Sequence, residues 1–560
     1  MKKICIILII LFSIGNISAQ IKSVKLNTSH PQQYAKVDIS IELITKWKNP
    51  FLQEDVALDM LITSPSGKQL TLPCFYESGE SGKLSVWRAY FAPQETGEYQ
   101  YSFKLLKSGK NSSISKSQSF RSEASGKNGF LHTESDWVLQ FDNGKPFRGV
   151  AENICWESRD HDDSKFFKGL HERADIYSYS YMLPDFARNG GNFFRTWICS
   201  WNLPVDYKLK NYNNSRYTPS DEFYNPSAVA KMDSLIELSG SLDLYIMLTL
   251  GQGGYSVRDG GVATSAEDFF INPLAKERYK NRLRYIVARW GYSTSIAMWE
   301  FFNEVDNVQY GNKNHPIKGE YIVQWHTEMS AYLKKIDPYK HIVTTSISHR
   351  DIEGLNSIAD IDINQKHIYN NTSVLPSEIW KYTKEFKKPY IIGEFGREWD
   401  WSKNFNDFGD EMDVDFKRGL WYGIFSPTPV LPMSWWWEFF DNRWMTTYYR
   451  GVREINDRML AAGNGSFEPL TVKAGDLQAF GVQCGKEVYV YLFNPTNLVF
   501  STDLTINKQG GGKYRIQCFE PTLRLYKDVK GANVSSSDIT LKNVSLGSQK
   551  EILYILTPEK

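Results

Sequence analysis

The chain has 560 residues, with 65 Lys and Arg against 64 Asp and Glu, for a formal net charge of +1. That length allows more than one domain, and the even mixture of charge leaves no electrostatic footprint for nucleic acid. Aromatic residues are abundant, at 17 Trp, 32 Tyr and 32 Phe; most must fill large cores, and a minority are suited to stacking on sugar rings.

The N-terminus opens with Met1-Lys-Lys, runs through an apolar stretch at residues 4–12 and reaches Ile17-Ser-Ala19-Gln20. A basic start, a short apolar stretch and small residues define a secretory signal peptide, so residues 1–19 are predicted to be removed and the product to be periplasmic or secreted. No second apolar stretch of that kind follows, and no membrane insertion is expected after removal.

Residues 21–125 alternate at period two, as in Val37-Asp-Ile-Ser-Ile-Glu-Leu43, with turn-rich breaks at 64–67 and 95–97. This predicts a small Ig-like antiparallel β-sandwich, ended by a polar linker at 122–129. Residues 130–462 switch to alternating strands and helices. A hairpin across Asn143-Gly144 comes first. Strands are then expected at 147–153, 192–197, 244–250, 297–304, 341–346, 362–369, 389–394 and 430–438, with helices such as 276–289 between them. Eight βα units over this length are what an α/β TIM (β/α)8 barrel requires. Residues 463–560 return to alternation and predict a second β-sandwich, with turns at 510–512 and 535–537. The expected fold is therefore a barrel flanked by N-terminal and C-terminal β-sandwich domains.

Five cysteines follow the signal: Cys74, Cys155, Cys199, Cys484 and Cys518. The odd number leaves at least one thiol free, and pairing of Cys155 with Cys199 or of Cys484 with Cys518 stays open. The His residues show no zinc-type spacing. Asp160-His161-Asp162-Asp163 has oxygens suited to calcium but reads better as a solvated loop. No metal and no cofactor are expected.

In a TIM barrel the polar residues at the C-terminal ends of strands are the catalytic candidates. Glu304 ends the fourth strand and Glu394 the seventh; they are three βα units apart and so face one another across the mouth. Two such carboxylates are what glycoside hydrolysis needs, one as acid and one as nucleophile. Glu304, kept protonated by the second carboxylate, is assigned as the general acid. Glu394, kept ionised by a nearby cation, is assigned as the nucleophile, with Arg195 on the second strand as that cation. Asn303 is placed to bond a sugar 2-hydroxyl. His367 and Tyr369, two apart on the sixth strand, point the same way; Tyr369 can orient Glu394, and His367 can contact Glu304 or substrate. Trp437, near the end of the eighth strand, is predicted to floor the reacting sugar, with Trp156 and Trp201 extending that platform.

These residues resemble the clan A retaining glycoside hydrolases, (β/α)8 enzymes of the family 5 type. The matching pieces are Trp299-Glu-Phe-Phe-Asn303-Glu304, Ile391-Ile-Gly-Glu394-Phe-Gly, Arg195 and His367-Ile-Tyr369. The resemblance implies double displacement without a cofactor, with Glu304 as acid/base and Glu394 as nucleophile. It covers about residues 130 to 460, and the stretch 91–101 looks like the modules that precede such barrels in bacterial polysaccharide-degrading enzymes. The expected partner is a polysaccharide or oligosaccharide. An endo-β-glucanase, of the β-1,3 kind, is the first expectation by analogy and a β-mannanase its nearest rival. A catalytically inactive carbohydrate-binding protein is the alternative from another class. Oligomeric state is left open by the sequence.

Overall fold

The computed structural model describes residues 20–251, 261–507, 513–529, 533–534 and 538–559. The predicted signal peptide and the turns expected at 510–512 and 535–537 lie outside the described residues. The chain divides into two compact units, one formed by residues up to Ser125 with Asn281–Tyr292, the other by the remainder.

In the first unit, strands Gln20–Leu26, Val37–Ile44, Leu84–Phe91 and Phe75–Gly79 make one antiparallel sheet. Gln69–Pro73, Val56–Thr63, Gly97–Lys107, Lys110–Ile114 and Gln118–Ser122 make a second. The alternation in Val37–Ile44 is realised in strict buried and half-buried succession, because successive side chains of a strand point to opposite faces. Phe91 from one sheet meets Tyr99 from the other with ring centroids 5.6 Å apart, so the apolar faces close on a shared core.

The second unit opens with a three-stranded hairpin sheet, Leu131–Thr133, Leu139–Phe141 and Pro146–Phe147. Gly144 turns this hairpin at φ +83°, a conformation open to glycine. Parallel strands follow at Ala151–Asn153, Phe193–Trp197, Tyr245–Thr249, Ile296–Glu300 and Ile342–Thr344, each paired with the next. The last of these continues as Ser346–Ile347, which pairs with Asn364–Tyr369, itself paired with Tyr390–Gly396. Residues 430–434 complete the circuit through parallel bridges, Ser434 to Phe395 on one side and Val430 to Gly149 on the other. Eight parallel segments thus form a closed hydrogen-bonded ring. Its base is filled by Phe193, Met247, Met298, Ile342, Ile391 and Met433, against which the hairpin residues Leu131, Leu139 and Phe141 pack.

Arg148 seals the join between the first and last segments. Its buried guanidinium donates to the carbonyls of Gly423, Ile424, Ser426 and Thr428 at 2.7–3.0 Å. With carbonyls and no carboxylate around it, burial lowers its pKa to about 9.

One expectation needs correction. The eighth strand ends at 434 rather than 438, and Trp437–Asn442 is a short helix. In the C-terminal region nine antiparallel strands lie on one path. Strand Glu468–Lys473 pairs with Gln478–Cys484 through its first half and with Phe500–Asn507 through its second. The strands therefore fold over at that point, and the two ladders enclose Val490, Leu504, Ile506, Ile516, Leu541 and Leu556 in a shared core.

Among the described residues no disulfide joins Cys155 to Cys199 or Cys484 to Cys518. No helix among the described residues is long and apolar enough to cross a membrane.

Candidate active site

Arg195 organises the mouth of the ring. It sits on the second parallel strand, fully buried, and its Nε and Nη2 clamp Glu300 at 2.7 and 2.8 Å. Nη1 reaches Glu394 Oε1 at 2.5 Å, and Nη2 also donates to Asn303 Oδ1 at 2.7 Å. Glu300 was not singled out from the sequence, although it ends the fourth strand proper. Thr249 Oγ1 and Gln365 Nε2 donate to it at 2.5 and 2.7 Å, so its oxygens are fully used inside the protein. Burial raises its pKa, but the Arg195 charge and these donors outweigh that and hold it below the ordinary value. Glu300 fixes Arg195, and Arg195 in turn fixes Glu394 and Asn303.

Glu304 stands four residues beyond that strand, as the N-cap of helix Val305–Gln309, in the left-handed region at φ +51°. Its N–H donates to Ser346 Oγ at 2.9 Å, and its Oε2 accepts from Asn307 Nδ2 at 2.8 Å. A left-handed non-glycine residue costs about 1 kcal/mol or more; here it turns the side chain back over the ring.

Glu394 lies on the seventh strand beside a bulge. Lys366 pairs with Ile392 and His367 with Glu394, leaving Gly393 as the additional residue. A Cβ on Gly393 would fall 2.7 Å from the Gln365 amide carbon and 2.9 Å from His367 Nε2. The Gly393 carbonyl accepts from Asn153 Nδ2 at 3.0 Å. The bulge re-aims Glu394 toward the mouth, where Tyr369 OH donates to its Oε2.

His367 joins the two acids. Its Nδ1 lies 2.9 Å from Glu304 Oε1 and 3.3 Å from Glu394 Oε2. Ligand atoms of Glu304, His367 and Glu394 all lie within 4.8 Å of one another, and these three are the residues here that could hold a cation. Asp162, from the acidic loop, is engaged otherwise: it pairs with Arg159 and accepts the Ser164 N–H at 2.8 Å.

The two acids stand in different electrostatic surroundings. Burial raises Glu304, but the His367 bond and charge, with Arg195 behind, outweigh it and hold its carboxyl below the ordinary value. Glu394 is more enclosed; burial raises it, and His367, Arg195 and Tyr369 only partly offset burial and the Glu304 charge.

The tryptophan platform also differs from expectation. Trp437 begins the short helix and is buried, its ring 4.9 Å from Trp156, so it supports the platform from behind. Trp435, one residue past the eighth segment, is the partly exposed indole, 5.4 Å from both Trp156 and Trp197. Trp156 and Trp201 are partly exposed, 5.6 Å apart at 82°. Alternation along an extended segment distinguishes Trp435 and Trp437 from Trp436, but only the position where the strand ends distinguishes the first two from each other.

Residues 30–105 match a family described as a domain of unknown function, DUF5060. Mannan endo-1,4-beta-mannosidase 4 of Solanum lycopersicum is 25% identical over 31% of this chain and 54% of its own length. Mannan endo-1,4-beta-mannosidase 3 of Arabidopsis thaliana is 23% identical over 37% of this chain and 48% of its own. The chain thus spans about half the length of these curated relatives. A crystal structure of a Bacteroides vulgatus protein provisionally classed as a glycoside hydrolase shares the fold at a TM-score of 0.66. That match has 13% identity and covers 95% of this chain and all of the other.

Proposed function

We propose that the protein is a retaining β-glycan hydrolase of the (β/α)8 clan A type, in which Glu394 is the nucleophile and Glu304 the acid/base. The observation that carries this is the convergence of the two carboxylates within 4.8 Å, joined by His367. That gap is of the order of the roughly 5–5.5 Å used for double displacement, and well short of the inverting spacing. Glu394 attacks the anomeric carbon while Glu304 protonates the departing oxygen; Glu304 then takes a proton from water, which releases the sugar from Glu394. His367 Nδ1, within reach of both acids, couples them. Asn303 Nδ2 serves the sugar 2-hydroxyl, and Trp435 with Trp156 and Trp201 supplies the aromatic wall. Arg195 and Tyr369 orient the nucleophile.

For substrate, the reading moves from β-glucan to β-1,4-mannan, because the curated relatives quoted above are mannan endo-1,4-beta-mannosidases. Action outside the cytoplasm is part of the same proposal and rests on the N-terminal signal pattern.

The test is a reducing-sugar assay over a polysaccharide panel containing β-1,4-mannan and β-1,3-glucan, with the anomer of the first product followed by NMR. Wild type should release retained products from mannan. Glu394→Ala and Glu304→Gln should each lower kcat by about 100-fold or more. Inverted products, or full activity in Glu394→Ala, would overturn the assignment.

A further inference from the structure

Asp306, two residues past Glu304 and fully buried, is not used by the chemistry above. Its carboxylate accepts three consecutive backbone N–H groups from the loop after the fifth strand: Ser348 at 2.8 Å, His349 at 3.0 Å and Arg350 at 3.1 Å. Charge-assisted bonds of this kind are about twice as strong as neutral ones, and three on one carboxylate fix a loop firmly. What they fix is an exposed guanidinium. Arg350 lies over the ring of Tyr310, the C-cap residue of the helix that starts at Glu304, with its carbon 4.5 Å from the ring centroid. Among the described residues Arg350 has no carboxylate partner. Of the neighbouring acids, Asp351 accepts from Tyr382, and Glu398 lies 3.6 Å from His349. The stretch after Tyr310 is exposed from 311 to 316 and adds Lys313 and His315 with no acid of its own.

Glu304 protonates the departing oxygen in the proposed mechanism, so the leaving sugar lies on its side of the mouth. The Tyr310–Arg350 pair is attached to that side by Glu304's own helix and by Asp306. We propose that this pair forms a leaving-group subsite for an anionic sugar, one bearing a carboxylate or a sulfate ester. Tyr310 backs the guanidinium, and the planar fork of Arg350 takes the anion with two parallel bonds. Because the loop backbone is already held by Asp306, little further ordering of the backbone is needed when an anion binds. The inference rests on the hydrolase reading for the direction of the leaving group.

Three β-1,4-mannan oligosaccharides of one length test it: one neutral, one with a uronate and one with a sulfate ester in the leaving-group half. Wild type should prefer one of the charged pair. Arg350→Gln should raise KM for that substrate by about tenfold, with kcat within about twofold and the neutral substrate unchanged, and Arg350→Lys should fall between. Raising salt from about 0.05 to about 0.5 M should raise the wild-type KM for the charged substrate only. Equal losses on neutral and charged substrates, or no loss on either charged one, would overturn the proposal. Affinity gels with Glu304→Gln protein separate the two readings. If the wild type cleaves nothing on the panel, the hydrolase reading fails, yet retention of the Glu304→Gln protein by an acidic polysaccharide that disappears on adding Arg350→Gln still supports the subsite. Equal retention with and without Arg350 refutes it.

Discussion

His367 is the residue through which the two acids affect one another. Its ring nitrogen is within reach of both, and its interaction lowers both carboxyls. The proposed mechanism needs one acid ionised and the other protonated, so kcat/KM is bell-shaped in pH and its two limbs belong to the coupled pair. Removing a group that lowers both pKa values raises both. His367→Gln should therefore move the whole bell-shaped profile of kcat/KM to higher pH by about one pH unit, with a lower peak. A profile that shrinks without moving would show that His367 acts by position alone. Glu304, Glu394, Arg195, Asn303, His367 and Tyr369 could all be named from the sequence, because each stands in or beside a short apolar run that ends in polar residues. Glu300 could not: a carboxylate that belongs to Arg195 differs from one left for substrate only in its partners, which come from three other strands.

At the level of elements, the seventh strand shows how one glycine sets the geometry. Gly393 is the bulge residue, and the space where its Cβ would lie is filled by Gln365 and His367. Gly393→Ala should push both side chains away from Glu300 and the two acids. The expected outcome is a stability loss of about 1–3 kcal/mol and a fall in kcat/KM of about 100-fold, checked by thermal unfolding and by kinetics on the same preparation. A stability loss without the kinetic one would mean the bulge does not aim Glu394. The helix after the fourth strand works in a similar way, since Glu304 caps it in a left-handed conformation and Asp306 ties it to the next loop. Strand existence was legible from apolar runs. The bulge was not, because pairing register depends on the neighbouring strand, and the end of the eighth segment was misplaced because Trp435, Trp436 and Trp437 continue its apolar pattern into a helix.

For the molecule, the ring and the curled C-terminal sheet fall in one compact unit. Their contact is polar as well as apolar. Arg458 clamps Glu487 at 2.9 and 3.0 Å, and Arg524 Nε reaches Glu454 at 2.8 Å. Tyr491 OH donates to the half-buried Glu551 at 2.9 Å, Tyr448 OH donates to it as well, and Trp421 stacks on Tyr491 at 5.8 Å. Burial raises the Glu551 carboxyl above its ordinary value. Ending the chain at residue 463 would leave Trp421, Tyr448 and Arg458 without these partners. A protein of residues 20–463 should lose cooperative thermal unfolding of the ring and become sensitive to protease. A cooperative transition within a few degrees of the full chain would show that the sheet is dispensable.

By itself the sequence determined the order of the parts, the pair of acids and most of their supporting residues, since periodicity and strand ends are local properties of a chain. Tertiary structure alone decided that Glu300 belongs to Arg195, that Trp435 rather than Trp437 stays partly exposed, and that strand Glu468–Lys473 joins both halves of the C-terminal sheet. Each of these depends on distances between segments far apart in sequence, where burial and the nearest charge, rather than residue type, set the outcome.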